Sequence, residues 1–265
     1  MTTLSYAAAD SATMLRRNLR HMIRYPSMTL LIAGTPVVLL LIFVYVFGGT
    51  LGNGLGSQAG GRAGYLSYVT PGIVLLAVAS VAQSTAISVA MDTTSGIVAR
   101  FRTMAISRAS VLTGHVLGSM IQSMLAIAVV VGVALAIGFR SAASPLAWLA
   151  AIGVLAMTAF ALTWLSVALG LVSKSVETAS NLPMFLMLLP FLGSGFVPAH
   201  SMPAGLRWFA EYQPFTPLTE TVRGLLLGGP VGGHAIMAAA WCAGIAVLSY
   251  FWATKLFRRP PRPPR

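Results

Sequence analysis

Residues 96–108 read Gly-Ile-Val-Ala-Arg-Phe-Arg-Thr-Met-Ala-Ile-Ser-Arg and lie between two long apolar runs. This stretch carries three arginines, with apolar residues between them at helical spacing: Arg100, Arg102, Arg108, Ile97, Phe101 and Met104. The pattern predicts a short amphipathic helix on the membrane side that holds positive charge. A helix between two spans can bind a partner and pass that partner's motion to both spans.

The composition places the rest of the chain in a membrane. Of its 265 residues 57% are hydrophobic and 8% are charged, whereas soluble domains have about 25% charged residues. The net charge of +12 also suits nucleic-acid binding, but that function needs a basic face on a polar domain. Here the arginines fill the gaps between apolar runs. The single cysteine, Cys242, excludes an intrachain disulfide.

The apolar runs predict an all-α polytopic membrane protein with six transmembrane helices, near residues 28–47, 68–91, 111–137, 146–172, 182–197 and 235–251. The whole chain is expected to form one transmembrane domain, with six spans in residues 28–252 and a basic, proline-rich tail in 253–265. Residues 1–27 hold an amphipathic pattern typical of an interfacial helix; alternatively, they are a basic flank that only sets topology. The glycine-rich residues 48–64 predict a flexible loop.

The fifth predicted span is short and interrupted. Residues 182–197 contain Pro183, Pro190, Gly193 and Gly195. Residues 198–228 carry four charges and several prolines, so we expect short helices at the outer interface. Non-helical backbone at membrane depth is tolerated only inside protein or beside a water-filled cavity, so this stretch indicates a transport path. A loop with aromatic anchors is the alternative.

Six spans put both termini on one side, and the basic residues indicate which side. Thirteen lie on the side of the termini: Arg16, Arg17, Arg20, Arg24, Arg100, Arg102, Arg108, Lys174, Lys255, Arg258, Arg259, Arg262 and Arg265. Four lie opposite: Arg62, Arg140, Arg207 and Arg223. By the positive-inside rule both termini are cytoplasmic, as is the loop at 96–108.

No energy source is evident in the chain itself. It lacks a P-loop, an H-E-x-x-H motif and a G-x-S-x-G motif, so it is not expected to be an enzyme. Its five acids, Asp10, Asp92, Glu177, Glu211 and Glu220, fall at span edges or outside, which argues against an ion-coupled carrier. An energy-supplying partner chain remains, with the cytoplasmic loop as its binding point.

Four pieces of sequence resemble a known family. They are Thr70-Pro71-Gly72, the 96–108 loop, Gly114-His115, and a set that follows the fifth span: Phe196-Val197-Pro198, Met202-Pro203, Leu206, residues 212–217 (Tyr-Gln-Pro-Phe-Thr-Pro) and Arg223. Together they resemble the permease subunit of a type-2 ABC exporter, close to the daunorubicin-resistance type. The chain departs from that pattern at Ala105, where the family usually has proline.

The resemblance implies the following roles. The loop would be a coupling helix that contacts an ATPase through Gly96, Ile97, Arg100, Phe101, Arg102, Met104, Ser107 and Arg108. Pro198, Met202, Pro203 and Arg223 would lie at an external gate, and the candidate path lining is Met184, Phe185, Met187 and Phe191. The partners would be two cytoplasmic ABC ATPase subunits, a second permease and the bilayer, without nucleic acid. ATP and Mg would be bound by the ATPase, and no cofactor by this chain.

Three functions stay open from the sequence. The first is a permease of an ATP-driven exporter for a hydrophobic drug or lipid, in the bacterial plasma membrane. The second is an ion-coupled multidrug carrier. The third is a structural membrane subunit without a path.

Overall fold

The computed structural model describes residues 16, 24, 26–54, 61–95, 108–173 and 175–258. Within these ranges the chain forms helices and turns and no strand. The elements are α1 (Pro26–Ile42), a π-helical turn (Phe43–Phe47), α2 (Gly48–Gly54), α3 (Gly61–Thr94), α4 (Arg108–Ala136), α5 (Pro145–Val172), α6 (Val176–Asn181), α7 (Met184–Leu188), a 3-10 turn (Ala199–Ser201), α8 (Ala204–Tyr212), α9 (Phe215–Leu227) and α10 (His234–Arg258).

Five stretches of helix are long and apolar enough to cross a membrane. They are Leu31–Gly54, Gly61–Thr94, Leu112–Ala136, Pro145–Val172 and His234–Phe257. Each exceeds the roughly 20 residues that a bilayer core requires. The predicted class, an all-helical polytopic membrane protein, is therefore confirmed for the described residues.

Helix α3 is the centre of the bundle. In its apolar stretch 78% of the residues are buried, against 22–39% in the other four. It packs against α1, α4, α5 and the short helices α6, α7 and α9. A helix surrounded by other helices needs small and β-branched side chains that let its neighbours approach, and residues 73–82 (Ile-Val-Leu-Leu-Ala-Val-Ala-Ser-Val-Ala) supply them.

Residues 48–54 and 61–64 are helical, which corrects the flexible loop predicted for residues 48–64 in the part of it that the structure describes. The helix continues from the π-helical turn through Gly54, and α3 already begins at Gly61. The reason is close contact: a Cβ on Gly52 would lie 2.2 Å from the carbonyl oxygen of Gly61. These glycines serve helix packing instead of loop flexibility.

Helix α10 extends beyond the predicted end of the last span, through Arg258. Ala253 and Phe257 are 0% and 4% exposed and pack with Val89, Trp164 and others where four helices converge. Buried apolar contacts therefore keep the chain helical past residue 252.

A glycine in α5 sets the distance between α5 and α3. A Cβ on Gly170 would lie 2.6 Å from the carbonyl oxygen of Ala86 and 2.8 Å from Cβ of Val89. We expect Gly170→Ala to lower the unfolding temperature of the purified protein by about 2–10 °C, because overpacking costs about 1–3 kcal/mol. In the same helix Gly153 has nothing within 4 Å of a Cβ. Gly153→Ala is therefore the matched control, and an equal loss there would contradict the packing explanation.

The predicted fifth span is not a continuous helix. Residues 182–197 contain α7 and a run of turns, preceded by α6 and followed by the 3-10 turn; we call residues 176–201 the broken segment. Pro183 and Pro190 interrupt it because proline removes a donor and clashes with the preceding turn. Gln83 Nε2 donates to the carbonyl of Ser180 at 2.9 Å near one end, and Tyr65 contacts Phe196 near the other. The segment thus runs antiparallel to α3 over about 27 Å, at 1.5 Å per helical residue.

Two short helices follow the broken segment, as predicted for residues 198–228. Helix α9 packs on α5, α10 and α3, and helix α8 packs on α9. Ser141 in the turn between α4 and α5 donates to the carbonyl of Leu226 at 2.6 Å. Helix α9 therefore lies at the end of the bundle where α3 begins, which we call the turn end. The opposite end, where α3 finishes and α4 begins, is the loop end.

Candidate functional site at the broken segment

Two tyrosines of α3 bind the irregular backbone of the broken segment. Tyr68 Oη donates to the carbonyl of Ser194 at 2.9 Å, and Tyr65 Oη donates to the carbonyl of Phe196 at 3.3 Å. Three residues apart on a helix, the two side chains point to the same side, and their rings lie 6.5 Å apart. The two hydroxyls thus provide donors for carbonyls that, in a regular helix, would accept from backbone N–H groups of the same helix.

Arg223 of α9 binds the same stretch from the other side. Its Nη2 donates to the carbonyl of Ser194 at 2.7 Å and to the carbonyl of Tyr68 at 3.1 Å. Its guanidinium carbon lies 3.9 Å from the centroid of the Tyr68 ring, and Nη1 donates to Glu220 Oε1 at 2.5 Å. The Arg223 side chain is 12% exposed and that of Glu220 29%. One guanidinium therefore joins α3, α9 and the broken segment, which its five fixed donors allow.

A glutamine and a threonine complete the contacts. Gln213 Nε2 donates to the carbonyl of Leu189 at 3.2 Å, while Thr216 Oγ1 accepts from the backbone nitrogen of Ser194 at 3.2 Å. Gln213 Oε1 accepts from the backbone nitrogen of Phe215 at 3.1 Å and so also caps the start of α9. We refer to this set as the polar clasp: Tyr65, Tyr68, Gln213, Thr216, Glu220 and Arg223.

Glycines let the backbones meet beneath the polar clasp. A Cβ on Gly72 would lie 2.5 Å from the carbonyl oxygen of Gly195, and a Cβ on Gly193 would lie 2.2 Å from Gln213 Nε2. A side chain at either position would push the broken segment away from its partners. The clasp and the glycines together let non-helical backbone lie against α3 with the carbonyls of Leu189, Ser194 and Phe196 hydrogen-bonded. Unpaired backbone groups would cost free energy in apolar surroundings.

The predicted gate residues are not equivalent. Arg223 lies at the centre of the polar clasp. Pro198 and Met202 flank the 3-10 turn, and Pro203 precedes α8 and accepts at its carbonyl from the backbone nitrogen of Arg207 at 2.8 Å. These three shape the turn that follows the clasp, whereas Arg223 binds the segment itself.

The four candidate lining residues lie in two environments. Met184, Phe185 and Phe191 are 53%, 49% and 36% exposed, whereas Met187 packs against the core. Phe191 stacks on Phe196 with ring centroids 4.3 Å apart, and Phe43 of the π-helical turn lies 4.7 Å from Phe196. The broken segment therefore presents an apolar outer face and is attached to the first span by aromatic contacts.

The coupling residues fall almost entirely outside the described residues. This applies to Gly96, Ile97, Arg100, Phe101, Arg102, Met104 and Ser107. Arg108 is the first residue of α4. The predicted interfacial helix near residues 14–25 also lies largely outside them.

Sequence reasoning missed the partners of Arg223. The spacing of Glu220 and Arg223, three residues apart, was a readable signal for a helical ion pair. Tyr68 and Ser194 had no such signal, because they come from segments distant in sequence from Arg223. Among the described residues, no group of three or more His, Cys, Asp or Glu side chains could hold a metal ion.

Comparison with known protein families identifies the family of this chain. The family model for the ABC-2 type transporter matches residues 11–227. The chain belongs to this family. It is thus a multi-pass membrane permease, of a class that works with an ABC ATPase.

Curated relatives agree with this membership. The permease is 29% identical over 248 residues to the daunorubicin resistance ABC transporter permease protein DrrB1 of Streptomyces coeruleorubidus, covering 92% of this chain and 84% of that relative. It is 27% identical over 212 residues to the probable doxorubicin resistance ABC transporter permease protein DrrC of Mycobacterium tuberculosis, covering 80% and 76%. These matches support an ABC exporter permease and the predicted resemblance.

Proposed function

We propose that this chain is the membrane subunit through which an ATP-driven ABC exporter moves a hydrophobic drug or lipid out of the cytoplasmic leaflet. The match over residues 11–227 carries the proposal, since it includes four of the five long apolar helices and the polar clasp. The nearly uncharged spans favour a lipophilic substrate, and the named drugs of two relatives agree with that class.

In this proposal the broken segment is a sixth crossing. Its contacts follow α3 for about 27 Å, close to the ~30 Å hydrocarbon core of a bilayer. Six crossings put both termini on one side, and thirteen basic residues against four make that side cytoplasmic. The loop end then faces the cytoplasm, and the polar clasp lies at the external end.

The ATPase partner would bind the 96–108 loop. Phe101 and Met104 supply apolar anchors, and Arg100, Arg102 and Arg108 supply a charged rim. Aromatic and arginine side chains are enriched at the hot spots of protein interfaces. Two ATPase subunits would then bind and hydrolyse ATP with Mg for a pair of permeases, and this chain would hold neither.

A second permease, identical or homologous, would face the apolar surface of α1 and the broken segment. On α1 and the π-helical turn that continues it, the exposed residues Leu31, Val38, Ile42 and Tyr45 follow one helical face, with exposures of 38–69%. Met184, Phe185 and Leu188 continue an apolar surface on the broken segment. A path between two such faces would suit an apolar substrate.

The first test is a pull-down of the tagged full chain from its host in several mild detergents, followed by an assay of vanadate-sensitive ATPase activity. We expect a stoichiometric ATP-binding subunit to co-purify. A chain that purifies alone and inactive in every detergent would contradict the proposal and would favour the ion-coupled carrier.

A further inference from the structure

A contact between a carboxylate and an imidazole joins α3 to α4 at the loop end, with little exposure to solvent. His115 Nε2 lies 3.2 Å from Asp92 Oδ2, and the two side chains are 9% and 13% exposed. The two Arg–Glu ion pairs among the described residues, Arg207–Glu211 and Arg223–Glu220, each lie within one short helix. The Asp92–His115 pair therefore links two long helices just where residues 96–107 leave and rejoin the bundle.

Three hydroxyl side chains at the end of α3 that carries Asp92 donate to backbone carbonyls four residues earlier. Thr93 Oγ1 donates to the carbonyl of Val89 at 2.7 Å, Thr94 Oγ1 to that of Ala90 at 2.9 Å, and Ser95 Oγ to that of Met91 at 2.7 Å. The backbone nitrogen of Ser95 also donates to the carbonyl of Met91 at 2.9 Å, so the last turn of α3 keeps helical hydrogen bonding up to Ser95. Asp92 therefore lies within a hydrogen-bonded turn that ends where the 96–107 loop begins.

Apolar side chains from four helices surround this end of the bundle. The cluster contains residues of α3, α4, α5 and α10: Val89, Leu112, Val116, Trp164, Val167, Ala168, Ala253 and Phe257. Close-packed protein interiors transmit displacement because they are poorly compressible. A shift of α3 and α4 as one unit would therefore move α5 and α10 as well.

We propose that the Asp92–His115 pair is a positioning element, which makes the two ends of the 96–107 loop move together so that ATPase motion reaches the bundle. The proposal rests on the proposed function of this loop. The carboxylate lies near the C-terminus of α3, where the helix dipole disfavours negative charge. A carboxylate at position 92 therefore does not stabilise α3 by itself, and we attribute its role to the contact that it makes with α4.

The first experiment measures the base of the loop in the full chain without the ATPase. Spin labels at Ser95→Cys and Ser110→Cys, in a Cys242→Ala background and in lipid nanodiscs, report the distance between the two helix ends. We expect Asp92→Asn and His115→Asn to broaden this distance distribution about twofold. The swap Asp92→His with His115→Asp restores a contact between a carboxylate and an imidazole at the same two positions, so it should restore a narrow distribution.

The matched control breaks another polar contact between the same helices. Thr85 Oγ1 donates to Ser119 Oγ at 2.7 Å, farther from the loop. Ser119→Ala should leave the distance distribution unchanged. The positioning role is wrong if Asp92→Asn leaves the distance distribution unchanged. It is also wrong if Ser119→Ala broadens the distribution as much as Asp92→Asn does and the swap fails to narrow it.

The second experiment uses the complex with the co-purified ATPase. Asp92→Asn should lower ATP turnover per bound ATPase about tenfold, within the usual range of coupling between sites, with KM for ATP and ATPase binding changed by less than about twofold. Unchanged turnover with a broadened distance would overturn the transmission role. Failure of any ATPase to bind wild type would contradict the proposed function alone, because the distance measurement does not depend on it.

Discussion

Arg223→Met should release the broken segment from α3 and α9. The substitution removes charge-assisted hydrogen bonds to two carbonyls and to Glu220, and each such bond contributes about 1.5–3 kcal/mol. A buried cysteine at Ser194→Cys reports the release. Ser194 is 3% exposed, and its Oγ has no hydrogen-bond partner among the described residues, so the thiol replaces it with little disturbance. In a Cys242→Ala background we expect a water-soluble maleimide to label it at least about tenfold faster when Arg223 is replaced.

A matched arginine lies nearby in sequence. Arg207 pairs with Glu211 at 2.7 Å, but the two side chains are 50% and 43% exposed. An exposed pair contributes at most about 1 kcal/mol, so Arg207→Met should leave the labelling rate unchanged. Arg223→Lys should be intermediate, because one ammonium cannot reach both carbonyls and the carboxylate. Equal labelling in the Arg223→Met and Arg207→Met variants would show that the polar clasp does not hold the segment.

Phe101→Ala combined with Arg102→Glu should abolish binding of the ATPase while membrane insertion stays normal. Truncation of an interface hot spot costs at least about 2 kcal/mol, and charge reversal adds repulsion to any acidic partner surface. The combined loss of about 4 kcal/mol corresponds to a roughly thousandfold weaker Kd. Co-purification of the ATPase subunit with the tagged variant, measured beside membrane-fraction yield, tests this.

The control reverses a charge at the turn end. Arg140 is exposed between α4 and α5, and Arg140→Glu should leave ATPase binding intact. Wild-type levels of co-purification in the double variant would exclude the loop as the contact. If binding were lost in Arg140→Glu instead, the assignment of the cytoplasmic side would be reversed.

Much of the fold follows from local sequence. A bilayer imposes a minimum length and an apolar composition on every crossing helix, so Leu112–Ala136 and Pro145–Val172 could be predicted within a few residues. The proline and glycine interruptions of residues 182–197 likewise predicted a broken element, because their backbone effects do not depend on distant contacts.

The contacts that organise the site depend on tertiary structure. Gly52 appeared to belong to a flexible loop, yet it packs against Gly61 in a helix pair. Asp92 appeared to end a span, yet it pairs with His115 inside the bundle. In both cases the local sequence is compatible with several contacts. The packing of separate helices determines which contact forms.

The sequence by itself determined the membrane class, the positions of the long helices and the place where one of them breaks, because each depends on hydrophobicity and backbone chemistry within a short window. Only the tertiary structure decided that α3 is central and that Arg223 joins Tyr68 to Ser194. Those features require three distant segments to meet, and no short-range property of Tyr68 or Ser194 identifies the other. The physical reason is that irregular backbone in an apolar environment must find polar partners wherever the folded chain brings them.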